Sequence, residues 1–130
     1  MQEDIGKLML RLTVGGLMLF HGTHKLLNGI GAIKTMVAAH NIPEVVAYGV
    51  YLGEIIGPVL LILGLFSRIG AVLIVINMIV AIVLAGLAGL FKLNAMGGYA
   101  LELEAFFLFG AVSVALLGAG RLSIGGGRWN

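Results

Sequence analysis

The 130-residue chain is 60% hydrophobic and 11% charged, with a mean hydropathy of +1.10. A soluble domain carries about 25% charged residues, and one this small cannot enclose so much apolar surface, so the solvent it implies is lipid. The net charge of +2 comes from eight basic and six acidic residues scattered without a Lys/Arg cluster to follow a phosphate backbone, which argues against a nucleic-acid partner. Cysteine is absent, which excludes disulfides, thiolate chemistry and Cys-ligated metal.

Four stretches approach the roughly 20 residues that cross a ~30 Å hydrocarbon core. Their long apolar runs lack a barrel's short alternating strands, so they predict helices. The first is expected over 5–27, without a small-residue cleavage site, and reads as an anchor that stays in the protein. In the connection 28–44, Ile33, Met36 and Val37 keep helical spacing with Lys34 and His40 off that stripe, predicting a short helix on the membrane surface. Pro43 stands at the entry to the second helix, 45–66, where a missing N–H does least harm. Pro58 is expected to kink that helix. Ser67–Ile69 reads as a tight turn into the third helix, 69–91, and KLNAMGG (92–98) leads to the fourth, 99–119. The expected architecture is thus a single all-α integral membrane domain over 1–130, a four-transmembrane-helix bundle with one interfacial helix.

An even helix count puts both termini on one side with Lys7, Arg11, Arg68, Arg121 and Arg128, against Lys25, Lys34 and Lys92 on the other. Five against three places the termini in the cytoplasm. LGLFSRIG (63–70) and LGAGRLSIG (117–125) end the second and fourth helices alike, either as a faint internal repeat or as an ordinary interfacial helix stop.

Twenty-one glycines serve close helix contact, since apolar side chains gain little by touching in lipid. Gly49, Gly53 and Gly57 share one expected face of the second helix, and Gly86 and Gly89 are three apart in the third. The charges within these helices matter more, because an ionised group at depth costs several kcal/mol unless paired or hydrated. Counting 1.5 Å per residue brings Arg11 within reach of Glu54, an inner pair. The same count assembles His21, Lys25 and Glu102 or Glu104 into an outer cluster, with Glu104 favoured by depth. A carboxylate and an imidazole at one level can exchange a proton near neutral pH. Lys25 has the alternative of reaching up to the headgroups. Tyr51 and Asn77 read as packing or hydrogen-bonding groups. His21 and His24 share one helix and His40 lies in a connection, which argues against a haem or metal site.

LFHGTHKL (19–26), YLGEIIGPVLLILGLFSRIGA (51–71) and ELEAFFLFGAVSVALLGAGRLSI (102–124), in that order, resemble the DoxX family of small bacterial inner-membrane proteins. The likeness covers Leu8 to Ile124 and departs at Gly125, where the family often has Asp. The resemblance implies a four-helix protein of the bacterial inner membrane, some of whose relatives belong to oxidoreductase complexes, including thiosulfate:quinone oxidoreductase. The leading expectation is therefore a membrane subunit of a redox system, with a quinone or small-reductant pocket between helices one, two and four. A peripheral redox enzyme and further copies of the chain are its expected partners besides lipid. The alternatives are a small oligomeric transporter gated by Glu54 and Arg11, and a membrane anchor for a peripheral enzyme.

Overall fold

A computed structural model describes residues 1–85 and 89–130, and these are all-helical, with no strand among them. The first helix, α1, spans Gln2–Asn28. Glu3 and Asp4 lie in its first turn and Lys25 in its last, each complementing the helix dipole. It stops at Gly29, whose φ of +82° suits a residue without Cβ. A nine-residue helix, α2 (Gly31–Ala39), follows.

The next stretch, Glu44–Leu63, is long and apolar enough to cross a membrane, as is Ser67–Leu84. The first of these is not one regular helix. It opens as a 3₁₀ helix (Glu44–Gly49), widens into a π-helical turn (Leu52–Ile56) and ends as α3 (Gly57–Leu63). Gly57 donates its N–H to the Leu52 carbonyl five residues back, and Pro58 has no N–H to give the Glu54 carbonyl four residues back. The kink expected at Pro58 is thus realised as a widened turn just before it.

Gly64 (φ +68°) closes α3 with a left-handed cap. Its N–H reaches the Leu61 carbonyl and that of Leu65 reaches Leu60. This moves the turn from the expected 67–69 to 64–66, and Ser67 and Arg68 instead begin α4 (Ser67–Ala85). The C-terminal segment caps α4: Ser67 N–H donates to Asn130 Oδ1 at 3.1 Å and Arg68 N–H to the Trp129 carbonyl at 3.0 Å. In the connection to α5 (Glu102–Leu117), Asn94 Oδ1 accepts the N–H groups of Met96 and Gly98.

The core lies where α1, α3, α4 and α5 meet, built from Val14, Met18, Leu61, Ala71, Ile74, Met78, Phe107, Ala111 and Val114. Outward, Leu17, Phe20, Ile76, Phe106, Phe109 and Leu116 are exposed, an apolar exterior that suits hydrocarbon rather than water. Among the expected packing glycines, Gly53 lies against Asn77 and Gly57 against the backbone of Gly70. Gly49 does not belong with them: open space surrounds it, because the 3₁₀ and π turns break the spacing of four that would align the three residues. Gly89 touches Leu101 loosely, and Gly86 lies outside the described residues.

Candidate functional site

The register between α1 and the 44–63 helix decides which charges meet. A Cβ on Gly15 would press the Pro58 carbonyl, and one on Gly22 would run into the backbone carbonyl of Glu54. Gly22 therefore lets α1 approach closely at the π turn, and Lys25, one turn on, arrives at Glu54 rather than at the headgroups. Lys25 Nζ donates to both carboxylate oxygens of Glu54, at 2.5 and 2.7 Å. From the other side Asn77 of α4 donates through Nδ2 to Glu54 Oε2 at 3.1 Å, and Gly53 gives Asn77 the room to do so.

Glu54 is 4% exposed, while the Lys25 side chain remains 27% exposed. The carboxylate is thus screened by its own cation. Tyr51, one turn before Glu54, donates its hydroxyl to the Lys25 carbonyl at 3.3 Å and fixes the end of α1 beside the cluster. The carboxylate thus has a cation and an amide aimed at it from two other helices. It sits on a π turn, a feature frequent at functional sites.

Arg11 and Glu54 do not pair. Arg11 is 1% exposed and spends its guanidinium on carbonyls, Nη1 donating to Leu61 at 3.2 Å and Nη2 to Leu122 at 2.5 Å. Arg11 would reach Glu54 only if residue 45 stood level with the end of α1. The structure packs the 3₁₀ segment 44–49 against α2 instead, so Glu54 lies near the end of α1 and Arg11 near the end of α3. Arg11 thereby closes the C-terminal end of α3 onto the tail. Arg68 does the same for α5, donating through Nη1 to the Ala115 carbonyl at 3.0 Å.

His21 is exposed and meets the ring of Phe107 edge-on, 5.8 Å between centroids. Among the described residues no hydrogen bond joins it to Glu104, which is half-buried in the first turn of α5. Glu102 is exposed beside Asn94 and Gly98 in the preceding connection. The expected outer cluster is therefore dispersed, with Lys25 alone joining Glu54. His24 pairs with Asn28 Nδ2 at 3.1 Å, one turn along α1. Asn77, expected as a packing or hydrogen-bonding group, does hydrogen-bond, and what its sequence position did not show is that Glu54 is the partner. A lone Asn in the most apolar helix was the available signal, since a polar amide there needs a partner.

Between α1 and α5, which touch at Val14 and Gly110, lies an apolar groove of about 660 Å³, lined by Leu10, Val14 and Leu17 against Phe106, Phe107 and Gly110 and by none of Lys25, Glu54 and Asn77. His21 lies one turn beyond Leu17 at its Phe107 end. At the opposite end of α1 the Arg121 backbone N–H donates to Asp4 at 3.0 Å and holds that carboxyl below its ordinary value of 3.8.

A family model described as DoxX matches residues 6–87. The chain belongs to the DoxX family. It is 31% identical over 121 residues to a protein of Bacillus subtilis (strain 168) named "Putative oxidoreductase CatD", the match covering 93% of this chain and 85% of that one. No solved structure matches it. The DoxX match takes in α1, the π turn with Glu54, and Asn77, so the whole Lys25–Glu54–Asn77 cluster falls within it. The tail lies beyond that match. There Gly125 donates its N–H to the Gly64 carbonyl at 2.9 Å, and a Cβ would come within about 3.1 Å of Leu65 and of the Gly64 carbonyl, a tight fit.

Proposed function

We propose that this DoxX protein is a membrane subunit of an oxidoreductase system. It crosses the bacterial inner membrane four times with both termini in the cytoplasm. Its Lys25–Glu54–Asn77 cluster exchanges protons with a bound molecule held between α1, the 44–63 helix and α5, giving them to a quinone or taking them from a small reductant. Reduction of a quinone to the quinol takes two electrons and two protons. The electrons come from a peripheral redox enzyme, and the protons pass through Glu54 and Lys25.

The observation that carries this reading is a carboxylate 4% exposed, bonded by a cation and an amide from two other helices. Groups placed so expensively in an apolar bundle usually mark function. The groove between α1 and α5 supplies an apolar bed for a hydrocarbon tail, and His21 at its end stands one turn before Lys25 on α1. The name of the Bacillus relative points to the same class of chemistry. The test is quinone reduction by membranes holding the native assembly. Glu54→Gln is expected to lower the rate at least tenfold at unchanged protein level. An unchanged rate in both Glu54→Gln and His21→Ala overturns the reading.

A further inference from the structure

We propose that α2 is a hinged lid over the Lys25–Glu54–Asn77 cluster, opening to admit the group that exchanges protons there. The inference rests on reading that cluster as the site. Following the two helices away from it, Tyr51 comes one turn before Glu54 and Leu84 two turns after Asn77. Both pack against the small cluster of Ile30, Val37 and Ala47 that holds α2 in place. Tyr51 is also bonded to the Lys25 carbonyl, so the floor under α2 is the roof of the site. The Lys25 side chain, which screens Glu54, keeps its exposure at this end of α1.

The attachment of α2 is thin. Val37 is its one buried residue, against nine buried residues in the main core. Its N-cap, Ile30, makes no side-chain hydrogen bond, and neither end carries a charge that complements the helix dipole. Lys34 over the Tyr48 ring at 4.7 Å adds an exposed cation–π contact. The hinge is at its N-terminal end, where Gly29 has φ +82° with open space around it and Gly31 has open space too. The other end is a fixed pivot, a left-handed stop at Asn41 (φ +58°) in which the Asn41 and Ile42 N–H groups reach the Ala38 and Val37 carbonyls. A nine-residue helix held by so little buried surface falls at the low end of local stability, where lids are found.

The chain has no cysteine, so a disulfide can be added to a clean background. Val37→Cys with Ala47→Cys would pin α2 to the 3₁₀ segment. Glu54 would then be labelled with dicyclohexylcarbodiimide and the labelled peptide followed by mass spectrometry. Oxidation is expected to slow labelling at least fivefold and dithiothreitol to restore it; equal rates in the two states overturn the lid. Should the bridge fail to form, hydrogen exchange on the unmodified protein decides. Amides of 33–39 are expected to exchange at least tenfold faster than those of 14–18 and 71–78, and equal protection overturns the lid. Neither readout needs quinone chemistry. Gated labelling with normal quinone reduction in Glu54→Gln would sink the redox reading and keep the lid, and ungated labelling with lost reduction would do the reverse.

Discussion

Arg11 and Lys25 stand about four turns apart on α1, and each turns its charge into the interior, but they meet different chemistry. Arg11 meets the carbonyls of Leu61 and Leu122, where a helix ends and the tail passes. Lys25 meets a carboxylate held from behind by Asn77. An arginine stays charged whatever its surroundings, so the first arrangement has a single state and works as a fastener. A carboxylate and an ammonium are of the kinds that serve as general acids and bases, which a guanidinium is not, so the second offers chemistry that the first lacks. Two inward-turned cations on one helix, one buried and one partly exposed, thus separate into a structural role and a chemical one by their partners.

The largest test of that contrast is to break the pair from one side. Glu54→Leu leaves the Lys25 ammonium without its partner and is expected to cost about 3 kcal/mol of stability, the low end for a broken buried pair because Lys25 is partly exposed. Combining it with Lys25→Met is expected to recover most of that loss in a thermal melt of the detergent-solubilised protein. A double variant no better than the single one would mean that the pair does not act as a unit. Next in size, Gly22→Val drives a side chain into the Glu54 carbonyl and should cost about 1–3 kcal/mol. Gly49→Ala, in open space, should leave the melting temperature unchanged and so serves as its control. At the other pole, Arg11→Met leaves the Leu122 carbonyl without the guanidinium and is expected to cost about 1–3 kcal/mol. It should slow quinone reduction by no more than the loss of folded protein explains. A larger loss of rate would place Arg11 in the chemistry after all.

The smallest effect concerns Asp4. Its carboxyl ionises more readily in the folded chain than in the unfolded one, because the Arg121 N–H bonds it. The contact is therefore fully present above the ordinary carboxylate value of 3.8 and is lost as pH falls through the lower, folded value. Exchange of the Arg121 amide should quicken over that acid range, and Asp4→Asn should flatten the dependence.

Much of this was legible before any coordinates. Long apolar runs made the helices plain, and the cost of charge in lipid singled out Arg11, Lys25 and Glu54 as residues that need partners. The pairing was not legible, because it depends on register. Counting 1.5 Å per residue assumes regular helices, whereas residues 44–56 pass from 3₁₀ to π winding, which alters both rise and facing. The same irregularity removed Gly49 from the contact face. His21 and Glu104 match in counted depth, and His21 does meet α5 within a turn of Glu104, at Phe107, but no hydrogen bond joins the two, which depth alone cannot show. Asn77 gained its meaning only when the packing of α4 on the π turn put Glu54 in front of it.

The π turn also sets the phase of everything that follows it. It places one residue more in the helix than a regular turn would hold, and α3 inherits its facing from that surplus. Deleting a single residue from Leu52–Ile56 would return the stretch to ordinary winding with scarcely any change of length or hydropathy. Regular winding with the surplus residue kept would instead rotate Gly57 away from Gly70, and Leu61 away from Arg11, by about 100°. In this short interval the chain is expected to keep the facing of α3 on losing one residue and to lose it on gaining one.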